Sequence, residues 1–163
     1  MIKQGLCFDL DGTLINSSQS GLKRILQLAK NRNLPVTTDV EQGIRNIWGA
    51  SPLKLIQKFW PQENPRAFFT EWENLDMAEP HQTFPGTKEA LEQLSKGFNM
   101  VIVTNRASRT TMSQLEHNGI AGFFELIITP EYNGYKKPEP QIMEPILARF
   151  KMLEISKNDI YLV

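Results

Sequence analysis

The feature that most restricts the fold is a change of hydrophobic period along the chain. Residues 2–8 form a short apolar run stopped by Asp9 and the Asp11-Gly12 pair, which reads as a buried strand. From Ser17 to about Glu79 the apolar residues recur at helical spacing instead. Leu22, Ile25, Leu26 and Ala29 open that stretch, Thr37 and Ser51-Pro52 mark new helix starts, and residues 66–77 form a last amphipathic helix. Beyond Pro85-Gly86 the pattern alternates. Helix through Ala90, Leu91 and Leu94, strand 100–103, helix 107–118, strand 124–128, helix 140–152 and a strand from Asp159 follow in order. Such alternation predicts a parallel sheet with crossover helices. The first strand belongs to that sheet but is separated from it by about sixty helical residues. The fold expected is therefore α/β: a parallel core from 1–16 and 81–163, with an all-helical insertion at 17–80. Pro145, about six residues into the last helix, is expected to kink it.

Ligands of open parallel sheets bind beyond the carboxyl ends of the strands. In this chain those ends carry Asp9 and Asp11, then Thr104 and Asn105, then a polar loop to Lys137. The inserted helices are expected to emerge at the same edge, as a lid. Residues i and i+2 of a strand share a face, so the two carboxylates can converge where the strand ends. Converging carboxylates invite a divalent cation or a shared proton. An ordinary strand followed by an Asp-Gly turn would leave the same residues. A carboxylate can also attack phosphorus, provided a neighbouring acid protonates the leaving oxygen and a cation offsets charge repulsion. Asp9 and Asp11 suit nucleophile and acid/base. The Thr104 hydroxyl can donate to a phosphoryl oxygen, and Lys137 can neutralise charge on the nucleophile or the phosphoryl group. The plainer reading of Thr104-Asn105 is a helix N-cap. His81 and His117 lack metal-ligand spacing and are expected at the surface, and Trp48, Trp60 and Trp72 in the core of the insertion.

Composition excludes several classes. Eighteen basic and eighteen acidic side chains cancel, so no general attraction to nucleic acid or anionic membrane is expected. No run approaches the ~18 apolar residues of a membrane span. The lone cysteine, Cys7, lies in the first apolar run and cannot form a disulfide within the chain. A cytoplasmic protein is expected. Charge is uneven within the insertion: residues 17–66 hold eight Lys/Arg and three Asp/Glu, whereas 67–83 hold none and four. A solvated helix face accounts for most of this.

Phe8-Asp9-Leu10-Asp11-Gly12-Thr13-Leu14 resembles the D-x-D-G-T-L signature of haloacid dehalogenase superfamily phosphatases. Val101-Ile102-Val103-Thr104-Asn105 is similar to the family's second motif, and Lys137-Pro138-Glu139-Pro140 to its Lys-Pro loop. The helical insertion and Phe84-Pro85-Gly86 resemble the phosphoglycolate phosphatase-like branch, with its C1-type cap on a Rossmann-like core. The resemblance implies an aspartyl-phosphate on Asp9, with Asp11 as general acid and then base. It implies Mg2+ held by the Asp9 side chain and the Asp11 backbone carbonyl, and phosphate bound by Gly12, Thr13, Thr104 and Asn105, with Lys137 securing the charge. Arg45 and Lys54 flank the Gly49-Ala50-Ser51 loop, which family members turn toward the active site, so both are candidate substrate contacts.

The family's fourth motif, an acidic Gly-Asp cluster after the fourth strand, is not matched: Tyr161-Leu162-Val163 resembles the strand and the sequence given ends there. The core is thus expected to be truncated at its C-terminal end. Magnesium would lack one carboxylate, and uncovered sheet would invite self-association through its edge. The function expected is magnesium-dependent hydrolysis of a small-molecule phosphomonoester. The alternatives are a phosphosugar mutase of the same family, or a catalytically impaired truncated form acting as a binding module.

Overall fold

The computed structural model describes residues 4–163, so Ile2, the expected start of the first strand, lies outside the described residues. The chain divides into two compact units, one of residues up to Asn16 together with Gln82–Val163, the other Ser17–His81.

In the first unit, β1 (Gly5–Phe8), β2 (Asn99–Val103), β3 (Leu126–Ile128) and β4 (Ile160–Leu162) form one parallel sheet in the order β3-β2-β1-β4. The register sets Cys7 beside Val101 on one side of β1 and beside Leu162 on the other. The apolar runs of β1 and β2 are continuous because both faces of the sheet are covered there. Period 2 divides them between two clusters. Leu6, Phe8, Met100 and Ile102 pack with Leu91 and Leu115, whereas Cys7, Val101 and Val103 pack with Ile142, Ile146 and Phe150. The central strand is thus hidden on both faces. β4 lies at an edge, and Tyr161, Leu162 and Val163 are exposed.

The second unit holds α1 (Ser17–Asn31), α2 (Thr38–Asn46), α3 (Pro52–Phe59) and α4 (Pro65–Ala78). The Thr37 hydroxyl accepts from the Val40 N–H, and the Asn64 side chain accepts from the N–H groups of Arg66 and Ala67, so two helix starts are capped as their residue types favour. Trp60 stacks on Phe68 at 5.3 Å between centroids and donates its indole N–H to the Pro35 carbonyl. Trp72 and Trp48 pack in the same cluster. The uneven charge of this segment also has a structural outlet. Arg32, just past the end of α1, is clasped by Glu63 and Glu71, and the hydrogen bond to Glu71 leads in raising the guanidinium above its already high pKa. Arg24 pairs with Asp76 at 2.9 Å.

His81 is buried rather than at the surface. Its Nδ1 lies 2.6 Å from the Ser20 hydroxyl and its Nε2 3.1 Å from an Asp76 oxygen. A polar ring can be buried there because its nitrogens meet partners; sequence spacing alone did not reveal Ser20, Arg24 and Asp76 as those partners. His117 is exposed.

The remaining helices belong to the sheet unit: α5 (Thr87–Leu94), α6 (Ser108–His117), the single-turn α7 (Pro130–Asn133) and α8 (Glu144–Met152). The expected helix over 140–152 is two elements. A 3-10 turn spans Pro140–Met143, and α8 begins at Glu144. Pro145 therefore stands in the first turn of α8, where its missing N–H costs no intrahelical bond, and no kink is needed. Among the described residues no helix is long and apolar enough to cross a membrane.

Candidate active site

β1 is the switch point of this sheet: β2 and β3 lie to one side of it and β4 to the other. A crevice opens at such a point, beyond the carboxyl end of the strand. Asp9 follows β1 directly, and its backbone N–H donates to the Val163 carbonyl at 3.0 Å, extending the pairing by one residue. The chain then turns tightly. The Leu10 carbonyl accepts from the N–H groups of Leu14 (3.0 Å) and Ile15 (3.1 Å), and the Gly12 N–H donates back to the Ile15 carbonyl at 2.9 Å. Gly12 has φ +82°, a conformation that side chains with a Cβ adopt only under strain. Leu10, Leu14 and Ile15 are buried, so the turn is anchored while Asp9 and Asp11 remain partly accessible.

Each carboxylate meets its own cation. The Lys137 ammonium lies 2.7 Å from Asp9 Oδ1, which also accepts from the Leu10 N–H at 2.7 Å. Asp9 Oδ2 has no partner among the described residues. The Asp11 carboxylate is gripped at two points by Arg106: Nε donates to Oδ2 at 3.0 Å and Nη2 to Oδ1 at 2.6 Å. The two acids and two bases balance, leaving no net charge on the group.

The segment after β2 holds this arrangement together. The Thr104 N–H donates to the Ile128 carbonyl, tying the end of β2 to β3, and its hydroxyl oxygen accepts from the Arg106 N–H at 3.2 Å. The hydroxyl proton finds no acceptor among the described residues. Asn105 clamps the Lys137 backbone, accepting from its N–H at 2.7 Å and donating to its carbonyl at 3.0 Å. A carboxamide has two N–H donors, so one is left for a ligand. Neither residue caps α6: the N-cap position is Ala107, without a side-chain bond, and the Ser108 N–H is met by Glu131.

Of the residues expected from sequence, the structure therefore brings Asp9, Asp11, Thr104, Asn105 and Lys137 together, with Gly12 and Thr13 in the turn that carries the acids. Arg45 and Lys54 belong to a different unit from these residues. Both are on the helical unit, Arg45 paired with Glu41 at 2.7 Å and Lys54 exposed on α3. Arg106 is the residue that sequence reasoning missed. Its signal was its place, one residue beyond the Thr-Asn pair at the end of β2.

No three His, Cys, Asp or Glu side chains among the described residues form a group that could hold a metal ion. Magnesium asks for less, since one or two carboxylates with water and substrate phosphate oxygens suffice. The unpartnered Asp9 Oδ2, on a side chain 39% exposed, fits that demand. The Asp11 carboxylate is spent on Arg106, so only its backbone could contribute. Because the group is already neutral, a divalent cation and a phosphate dianion fit it better together than separately.

A parallel sheet bearing paired carboxylates at its switch point, with a lysine on the first, defines a recognisable class of hydrolase. The chain belongs to the haloacid dehalogenase-like hydrolase family, whose model matches residues 6–163. It is 30% identical to the phosphoglycolate phosphatase of Aquifex aeolicus over 156 residues, spanning 91% of this chain and 69% of that protein. With the pyrophosphatase PpaX of Listeria monocytogenes it shares 26% identity over 161 residues, 97% of this chain and 72% of the relative. The fold is similar to that of the HAD-hydrolase YfnB of Bacillus subtilis, solved bound to magnesium. The TM-score is 0.81 at 22% identity, covering 99% of this chain and 79% of the other. The protein is thus a hydrolase of a family whose named relatives include phosphatases.

Proposed function

We propose that this chain carries a magnesium-dependent phosphatase site for a small phosphorylated metabolite, acting through an aspartyl-phosphate on Asp9. The observation that carries the reading is the Asp9–Lys137 pair at the carboxyl end of the central strand, with Asp11 held beside it in the same turn. An Asp9 oxygen attacks phosphorus, the bond from phosphorus to the ester oxygen breaks, and Asp11, which takes up a proton before this step, passes it to the leaving oxygen. In the second step a water attacks the same phosphorus, Asp11 takes its proton, and the bond to Asp9 breaks to return the carboxylate. Lys137 keeps a positive charge against Asp9 throughout, and the Thr104 hydroxyl and the remaining Asn105 N–H are donors for phosphoryl oxygens. Magnesium, bound through Asp9, would offset the repulsion between carboxylate and phosphate oxygens.

The test is a panel of small phosphate esters with and without magnesium. Metal-dependent phosphate release, abolished in Asp9→Asn, supports the reading. Release that is unchanged in Asp9→Asn, or no release from any ester, contradicts it.

A further inference from the structure

We propose that Arg106 is the positioning residue of this site, setting the plane and reach of the Asp11 carboxylate. The inference rests on the phosphatase reading and goes beyond it, since the proposed reaction needs a proton carried by Asp11 but does not itself say what aims that carboxylate.

Asp11 lies beyond the end of β1 in an anchored turn, which fixes its Cα but leaves its side-chain torsions to be set by what the carboxylate meets. Proton transfer requires hydrogen-bond reach to the leaving oxygen and later to the attacking water. A misplacement of about 1 Å can cost on the order of a hundredfold in rate. Arg106 supplies the missing constraint. Nε and Nη2 engage the two carboxylate oxygens separately, the fork geometry that fixes orientation as well as distance. The guanidinium is itself held: its side chain is 13% exposed, and its backbone N–H is tied to the Thr104 hydroxyl. The same three-residue segment clamps the Lys137 backbone through Asn105, so one element orients the partners of both carboxylates.

This role differs from merely supplying charge. Lysine has the charge of arginine but not its planar fork. Arg106→Lys and Arg106→Gln are to be compared with wild type using an aryl phosphate and magnesium, with thermal midpoints measured alongside. Positioning predicts that kcat falls roughly 10- to 100-fold in both variants while KM stays within about threefold. The lysine should fail to rescue. Full rescue by lysine would overturn the proposal in favour of charge alone, and a rise in KM at constant kcat would make Arg106 a substrate-binding group. Unchanged kinetics in well-folded variants would also refute it. A wild-type chain inactive on every ester would sink the phosphatase reading and the proposal with it, so the two failures are distinguishable.

Discussion

Asp9 and Asp11 are two residues apart, yet they meet different cations arriving from different segments, Lys137 from the loop after β3 and Arg106 from the end of β2. That division explains why the acids can share a turn without mutual repulsion dominating it. Lys137 was legible from its Lys-Pro context, and the acids from their place after an apolar run. Arg106 was not, because an arginine in a loop reads as solvated until the fold shows what it touches. His81 was misjudged for the same reason: besides the nearby Asp76 of α4, its partner Ser20 lies in α1, far away in sequence. Cys7 offers a test at this scale. Burial between the sheet and α8 pushes its thiol from an ordinary 9.0 up to about 12. The native thiol should therefore resist a disulfide reagent at mildly alkaline pH and react on unfolding. The sign for stability follows. Between these two pKa values only the unfolded thiol loses its proton, so stability intact below 9.0 declines as pH rises above it. Denaturant midpoints across that range should fall less in Cys7→Ala.

Among the elements, β1 is packed too closely to admit a further side chain at its start. A Cβ placed on Gly5 would come 2.7 Å from two ring atoms of Phe150, a fully buried side chain of α8. Gly5→Ala should consequently destabilise the protein by about 1–3 kcal/mol in denaturant melts, the usual cost of overpacking a filled core. At the start of α4, Asn64→Ala removes the acceptor for two backbone N–H groups and should cost about 1 kcal/mol. The order of strands and helices was readable from period alone, since each strand is apolar on both faces and each helix on one. Element ends were less so. Phe124 read as strand because it is apolar, but β3 starts at Leu126, after a 3-10 turn over Ala121–Phe123. Residues 140–152 read as one helix because Ile142, Ile146 and Phe150 keep a helical period; they still pack together, across a break that the period does not record.

For the molecule as a whole the formal charge is zero, and much of the helical segment's charge is consumed in its own ion pairs. The chemistry is concentrated at the switch point of the parallel sheet, and what is proposed there is a covalent phosphoryl intermediate on Asp9. Its second step needs Asp11 more than its first when the leaving group is as good as a phenolate. The most direct measurement is therefore the intact mass of the Asp11→Asn chain after mixing with an aryl phosphate and magnesium. The expected result is one added phosphoryl group per chain, mapped to Asp9, released by hydroxylamine and absent when Asp9→Asn is added to the same chain. An unmodified chain, or a phosphoryl group on any other residue, would contradict the proposed mechanism.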